Sequence, residues 1–210
     1  MTHKNKFYII NYVAGEKFCP YFFEVKWDPE LPVIDYASEL PLPGDLSEKY
    51  SVIADLPELL IDYLPDQFLA SENVTLLCES LDTEVIVRPV DIALNNNVRP
   101  LNNYFFFLPR RRVSFVDEVK SEFILSRDRY TGLPAVSIEQ DGEFPVYEKI
   151  DRLIVDPTVC CDLFFAREIK KVVCSERFVE MFHAEGLSGV VFEEIDENYR
   201  YAPWDDFGLT

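Results

Sequence analysis

Glycine is scarce in this chain of 210 residues, with seven in all, and neither a Walker loop nor a GxGxxG turn can be assembled from them. Nucleotide cofactors therefore have no support in the sequence. Histidine is scarcer still: His3 lies near the start and His183 falls on a helical pattern near its C-terminal end, where positive charge is welcome. A Ser-His-Asp or Cys-His arrangement would have one realistic base, and His183 reads better as a helix-surface residue. Five cysteines include no CxxC pair, and Cys160 and Cys161 are adjacent, a poor geometry for a normal disulfide. They read as buried thiols of a reducing cytoplasm. No Asp-x-Asp-x-Asp-Gly loop is present, and no metal or other cofactor is expected. Long apolar runs are also lacking: residues 7–14 and 104–108 are strand-sized, too short to cross a membrane. The basic start is followed by a broken apolar stretch without a small-residue cleavage site, so a cytoplasmic protein is expected.

Basic side chains are outnumbered, 20 Lys and Arg against 38 Asp and Glu, for a net charge of −18. Such a chain repels phosphate backbones and anionic lipid, and direct nucleic-acid or membrane binding would need a local basic patch. The one basic cluster, Arg110, Arg111 and Arg112, follows an apolar strand and is expected to pair with the protein's own carboxylates. A basic protein partner suits the charge best.

Apolar residues are plentiful, 48% with 14% aromatic, enough for a substantial core. Residues 7–13 and 21–25 read as strands of a hairpin or meander. Prolines at 29, 32, 41 and 43 make residues 28–45 an ordered surface loop or short edge strands, with Leu31, Val33, Ile34 and Leu40 as anchors. Asp55-Leu56-Pro57-Glu58 has the spacing of a capping box and predicts a short helix ending near Pro65. Residues 76–78 and 84–90 read as extended, and residues 104–108 as a central strand buried on both faces. Residues 127–148 are turn-rich. Strands follow at 152–155, 163–165 and 171–174. Ser175 is then an N-cap, Phe178, Val179, Met181 and Phe182 form an apolar helix face, and Gly186 with Leu187 closes a Schellman cap before a last strand at 189–195. The expected fold is α+β: a single mixed domain with a largely antiparallel or mixed sheet and a few helices, ending strand-helix-strand. Residues 1–50 supply N-terminal strands and the Pro-rich loop, 51–195 the core, and 196–210 an acidic, aromatic tail.

Carboxylate pairs such as Glu193 with Glu194 point to opposite faces of one strand and do not by themselves make an acid/base pair. The C-terminal pattern is more telling. Asp162-Leu163-Phe164-Phe165, then Val173-Cys174-Ser175-Glu176 opening a helix, then Gly186-Leu187-Ser188-Gly189-Val190-Val191-Phe192 returning as a strand, resembles the ending of bacterial immunity proteins of polymorphic toxin systems, types eleven and forty-three. Val87-Arg88-Pro89-Val90, Asn103-Tyr104-Phe105-Phe106-Phe107 and the Asp55-Leu56-Pro57 entry resemble the family's central segments, so the likeness runs from about residue 55 to 195. The resemblance implies a non-catalytic cytoplasmic antidote that binds a cognate toxin domain, here a basic one, and blocks it. No catalytic or metal-binding residues come with it. Partner contacts are expected in the tail: Glu193, Glu194, Asp196, Glu197, Tyr199, Tyr201, Trp204, Asp205 and Asp206, aromatic anchors in a charged rim. Trp204 and Phe207 could equally dock the C-terminus on the core. Two other readings stay open, a carboxylate- or metal-dependent hydrolase and a non-catalytic intracellular adaptor.

Overall fold

The computed structural model describes residues 6–15, 19–20, 24–36, 40–139 and 141–203. In chain order the strands and helices are β1 (Phe7–Asn11), β2 (Val25–Asp28), β3 (Tyr50–Ala54), β4 (Tyr63–Leu64), β5 (Leu69–Ser71), α1 (Glu72–Ser80) and β6 (Val85–Ala93). There follow β7 (Tyr104–Pro109), β8 (Arg112–Val113), β9 (Glu122–Leu125), β10 (Val136–Glu139), β11 (Gly142–Pro145) and β12 (Tyr147–Arg152). The chain then forms β13 (Leu163–Ala166), β14 (Lys171–Ser175), α2 (Glu176–Ala184) and β15 (Val191–Glu194). The class is α+β, and the order β14-α2-β15 is the expected strand-helix-strand ending.

Two mixed sheets dominate. One runs β2-β3-β6-β7-β5-β4 and the other β15-β1-β14-β13-β8, with parallel pairing, among the described residues, at β3–β6 and β13–β8. Alternation along the strands explains how they stack. In β1, Phe7 and Ile9 enter one core while Tyr8 and Ile10 enter another. In β7, Tyr104, Phe106 and Leu108 face a third core, and Phe107 faces the one shared with Ile10. Each large sheet is thus covered on both faces, which is why residues 104–108 and 163–166 are apolar at nearly every position. The middle core holds both helices, with Val74, Leu77 and Cys78 of α1 meeting Phe178 and Phe182 of α2.

The C-terminal reading holds in detail. Ser175 Oγ accepts from the Phe178 amide at 3.2 Å. Gly186 has φ +68°, and the amides of Gly186 and Leu187 donate to the carbonyls of His183 and Phe182, the paired bonds of a Schellman cap. Central β7 is also as expected, and the turn-rich stretch 127–148 carries the short strands β10 and β11.

Other expectations fail. β1 and β2 lie in different sheets, so they form no hairpin, and residues 21–23 of the expected second strand lie outside the described residues. No helix follows Asp55. Leu56, Leu59, Ile61 and Tyr63 are buried in an extended path, because Asp62 and Tyr63 donate their amides to Ser188 and Tyr63 pairs with Ala70. The helix comes later, as α1, where 76–78 had read as a strand. Its buried Val74, Leu77, Cys78 and Leu81 follow the i, i+3, i+4, i+7 rule. Val33 is no anchor, being 89% exposed, whereas Leu40 is buried. The strand expected at 152–155 stops at Arg152, leaving Val155 a single bridge to Val116. Cys19, Cys78 and Cys174 are buried and outside any disulfide, but Cys160 is exposed and Cys161 half-buried.

Candidate partner-binding surface

The expected tail residues divide between two environments. Glu193 and Glu194 sit on edge strand β15, where Glu193 accepts from Asn11 Nδ2 at 3.0 Å and Glu194 pairs with Lys6 at 3.1 Å. Asp196 caps the turn that follows, accepting the amides of Asn198 at 2.8 Å and Tyr199 at 3.1 Å, and these bonds hold its carboxyl below the usual carboxylate range. Glu197 is exposed, and its backbone carbonyl accepts from Arg200 Nη1 at 2.8 Å. Tyr199 and Tyr201 turn inward against the core that holds Phe7 and Ile150, and Tyr201 exchanges two backbone hydrogen bonds with Ile150. Burial pushes both phenols upward from their ordinary value. Trp204, Asp205 and Asp206 lie outside the described residues. Glu193 and Glu194, on opposite faces of β15, and Asp196 and Glu197, in the turn that follows, are thus successive along the chain, with two tyrosines anchoring it.

A second surface is built by residues 122–152, which form two ribbons, β9–β12 and β10–β11. The hairpin β10–β11 pairs Val136 with Pro145 and Ile138 with Glu143, so these four share one face. Ser137, Glu139 and Phe144 share the other. That inner face is clamped. Glu139 Oε2 meets Arg167 Nε at 2.8 Å and Arg112 Nη1 at 3.3 Å, with all three side chains at least nine-tenths buried. Asp141 bridges the same two guanidinium groups, and Arg167 lies 3.9 Å from the centre of the Phe144 ring. Together with Arg110, which lies 3.8 Å from Glu84, Arg112 meets the expectation that the arginine cluster pairs with internal carboxylates.

Beside this hairpin, residues 127–134 make a tight, fully braced tip. Asp128 Oδ1 accepts from the amides of Tyr130 at 3.0 Å and Thr131 at 2.7 Å and from the Thr131 hydroxyl at 2.9 Å. Arg127 donates to the Gly132 carbonyl at 2.8 Å, and Gly132 adopts φ +70°. The tip carries Tyr130, which is 98% exposed.

The model of the immunity protein family Imm11 matches residues 36–197. The chain belongs to the Imm11 immunity protein family. Immunity protein families are generally non-catalytic and imply a toxin partner. No curated protein matches the chain. The matched span takes in α1, α2, both ribbons and the acids Glu193, Glu194, Asp196 and Glu197. It leaves out β1, although β1 sits between β15 and β14 inside the five-stranded sheet of the Imm11 chain.

Elsewhere in this Imm11 chain the chemistry is sparse. A cleft of about 480 Å³ between the two large sheets is lined by Tyr36 stacked on Phe165, by Lys170 and Lys171, and by a single carboxylate, Asp66, among its described residues. Among the described residues, no group of three or more His, Cys, Asp or Glu could hold a metal, and no helix is long and apolar enough to cross a membrane. His183 is exposed in the last turn of α2, its ring 5.4 Å from that of Phe192. The hairpin face and the Tyr130 tip were not singled out in the sequence. The available signal was the alternation Val136-Ser137-Ile138-Glu139 running into Asp141-Gly142, a two-sided strand entering a turn.

Proposed function

We propose that this chain, acting as one unit over residues 1–210, neutralises a cognate bacterial toxin domain by binding across its active or substrate-binding surface in the cytoplasm, with no chemistry of its own. Membership of the Imm11 family over residues 36–197 is the observation that carries this reading. Charge supports it further. With a net charge of −18 the chain attracts a basic domain over several ångströms of solvent, and toxins that act on nucleic acids or nucleotides need a basic surface for their substrate. An acidic antidote can occupy the place that phosphate would take. The acids Glu193, Glu194, Asp196 and Glu197, continued in sequence by Trp204, Asp205 and Asp206, supply negative charge for the encounter, with Tyr199 and Tyr201 fixing the chain's path.

The test is co-expression with the C-terminal domain encoded immediately upstream of this chain. Restored growth together with co-purification of a stable complex is the expected result. Intact toxicity, with the two proteins separating on a sizing column, would contradict the proposal.

A further inference from the structure

Strand β15 ends the five-stranded sheet, with β1 as its neighbour and no strand beyond it among the described residues. Two hydrogen bonds fix which way its backbone groups point. The Ile195 amide donates to the Phe7 carbonyl and the Glu176 amide to the Lys6 carbonyl, so along β1 the odd-numbered residues bond toward β15 and the even-numbered ones toward β14. Ile9 and Asn11 therefore engage the backbone of Glu193 and Val191, and the N–H and C=O groups of Phe192 and Glu194 point out of the sheet edge. Among the described residues, nothing hydrogen-bonds to these outward groups. The side chains are open as well, with Val191, Glu193 and Glu194 exposed and Phe192 half-buried.

An unpaired edge is a template for another strand, and charge decides which strand is admitted. The four strands that end the two large sheets differ in this respect. β4 and β8 have two residues each, and β2 balances Lys26 against Asp28. β15 carries two acids and no cation, Glu193 on the face of Ile9 and Glu194 on the face of Tyr8. Glu176, Asp196 and Glu197 add three more carboxylates at its end. The described cations nearby are already engaged: Lys6 with Glu194 at 3.1 Å and Glu176 at 4.0 Å, Arg177 with Asp162 at 3.4 Å, and Arg200 with the carbonyls of Glu197 and Tyr199.

We propose that a strand of the toxin domain, carrying basic side chains, adds to the open edge of β15 and hydrogen-bonds to the backbone of Phe192 and Glu194. The inference rests on the antidote reading above and gives it a place. Main-chain bonds along the edge set the geometry, and the side chains opposite select the partner. Successive residues of an added strand point to opposite faces of the sheet, so basic residues placed across from Glu193 and Glu194 meet a carboxylate on each face. Phe192, whose ring centre lies 5.2 Å from that of Phe182, supplies an apolar contact on the α2 face. A second copy of this chain would bring another net charge of −18 and its own Glu193 and Glu194 to the same edge, and like charges across a strand pair are unfavourable.

The experiment follows binding of the upstream-encoded toxin domain to the full-length chain by amide hydrogen exchange, calorimetry and stopped-flow. In the free chain the amides of Phe192 and Glu194 should exchange faster than those of Val191 and Glu193, which β1 already holds, and in the complex they should slow by about tenfold or more. Glu194→Pro removes one outward N–H and leaves the bonds to β1 in place, so binding should weaken by about tenfold or more. Glu194→Gln loses the same charge but keeps that N–H, and should bind more tightly than the proline variant. Glu193→Lys should slow association and flatten its salt dependence. Near-UV circular dichroism of each variant guards against misfolding, and exchange in the unsubstituted chain keeps the test intact if Glu194→Pro disturbs the sheet. Exchange at Phe192 and Glu194 that is the same free and bound, or Glu194→Pro binding within twofold of the parent, overturns strand addition while the antidote reading stands. Protection of both amides in the chain alone, together with a dimer on a sizing column, gives the edge to a second copy and overturns it too. A parent chain that does not bind at all overturns both readings.

Discussion

Asp62 and Ser188, 126 residues apart, hold each other in both directions. The buried Asp62 carboxylate accepts from the Ser188 amide at 3.0 Å and hydroxyl at 3.1 Å, and its other oxygen takes the Ser71 hydroxyl at 2.8 Å. In return the Ser188 carbonyl accepts the amides of Asp62 and Tyr63, each at 3.0 Å. This knot ties the segment entering the six-stranded sheet to the turn between α2 and β15. Asp62→Ala would leave three donors facing a dry hollow. Loss of about 2–4 kcal/mol in urea unfolding is expected. A change below about 0.5 kcal/mol would show the knot to be incidental.

Gly189 lies next to this knot with φ +112°, and a Cβ built there would come within 2.2 Å of the Tyr63 carbonyl oxygen. The obstacle is backbone held in β4, so it cannot swing aside. Gly189→Ala therefore combines an unfavourable φ with an overlap, and should cost about 3 kcal/mol or fail to fold. Gly132→Ala, with a positive φ but open space around it, should cost less in the same thermal or urea measurement.

Arg167 is the centre of the hairpin clamp. Removing it leaves Glu139 buried with Arg112 as its remaining cation, and a buried charge stripped of a partner costs about 3 kcal/mol. Arg167→Met should release β10–β11 first, because among the described residues that ribbon is a two-stranded sheet of its own. Hydrogen exchange should quicken at residues 134–146 before the two large sheets respond. Uniform acceleration through both sheets would contradict a local clamp.

Glu168 sets a pH dependence. Its Oε1 accepts from the Phe115 amide at 3.0 Å and from that of Val116 at 3.4 Å, while its Oε2 has no hydrogen-bond partner among the described residues. Burial pushes this carboxyl above its ordinary value of 4.5, and the backbone bonds and Arg167 oppose the shift only in part. The native state therefore holds the proton more tightly than the unfolded chain. Stability tied to Glu168 is complete below the unfolded value and falls as pH rises through the window above it. Glu168→Gln keeps an acceptor for the two amides and cannot ionise. Its stability relative to the parent should climb as pH is raised from 4.5 toward neutrality. A pH-independent difference in chemical denaturation would contradict this.

The parts of the fold readable from sequence are those fixed by neighbours along the chain. The Ser175 cap, the α2 face and the Gly186–Leu187 closure each depend on residues within a few positions, and the apolar run of β7 announces burial on both faces. The misread segments depend on distant partners. Asp55-Leu56-Pro57-Glu58 carries a local helix signal, yet Ser188 draws Asp62 and Tyr63 into an extended path. β1 pairs with β14 and β15, more than 160 residues further on, as the Phe7–Ser175 and Tyr8–Glu194 registers show, and nothing near Phe7 encodes that choice. The tail illustrates the same limit for function. Composition marks Tyr199 and Tyr201 as anchors, but composition does not say which way a ring faces, and both face the core. Tyr130 had the opposite fate, since nothing in a turn-rich stretch says that an isolated tyrosine will stand exposed on a braced tip.

The central claim is inhibition by occupation, and titration tests it most directly. The activity of the purified toxin domain encoded upstream would be followed while this chain is added in steps. The expected result is a linear fall to zero that breaks at a fixed stoichiometric ratio, with no turnover of the toxin and recovery of both proteins intact from the complex. Activity that persists at a large excess of the chain, or that disappears at catalytic amounts of it, would contradict neutralisation by binding.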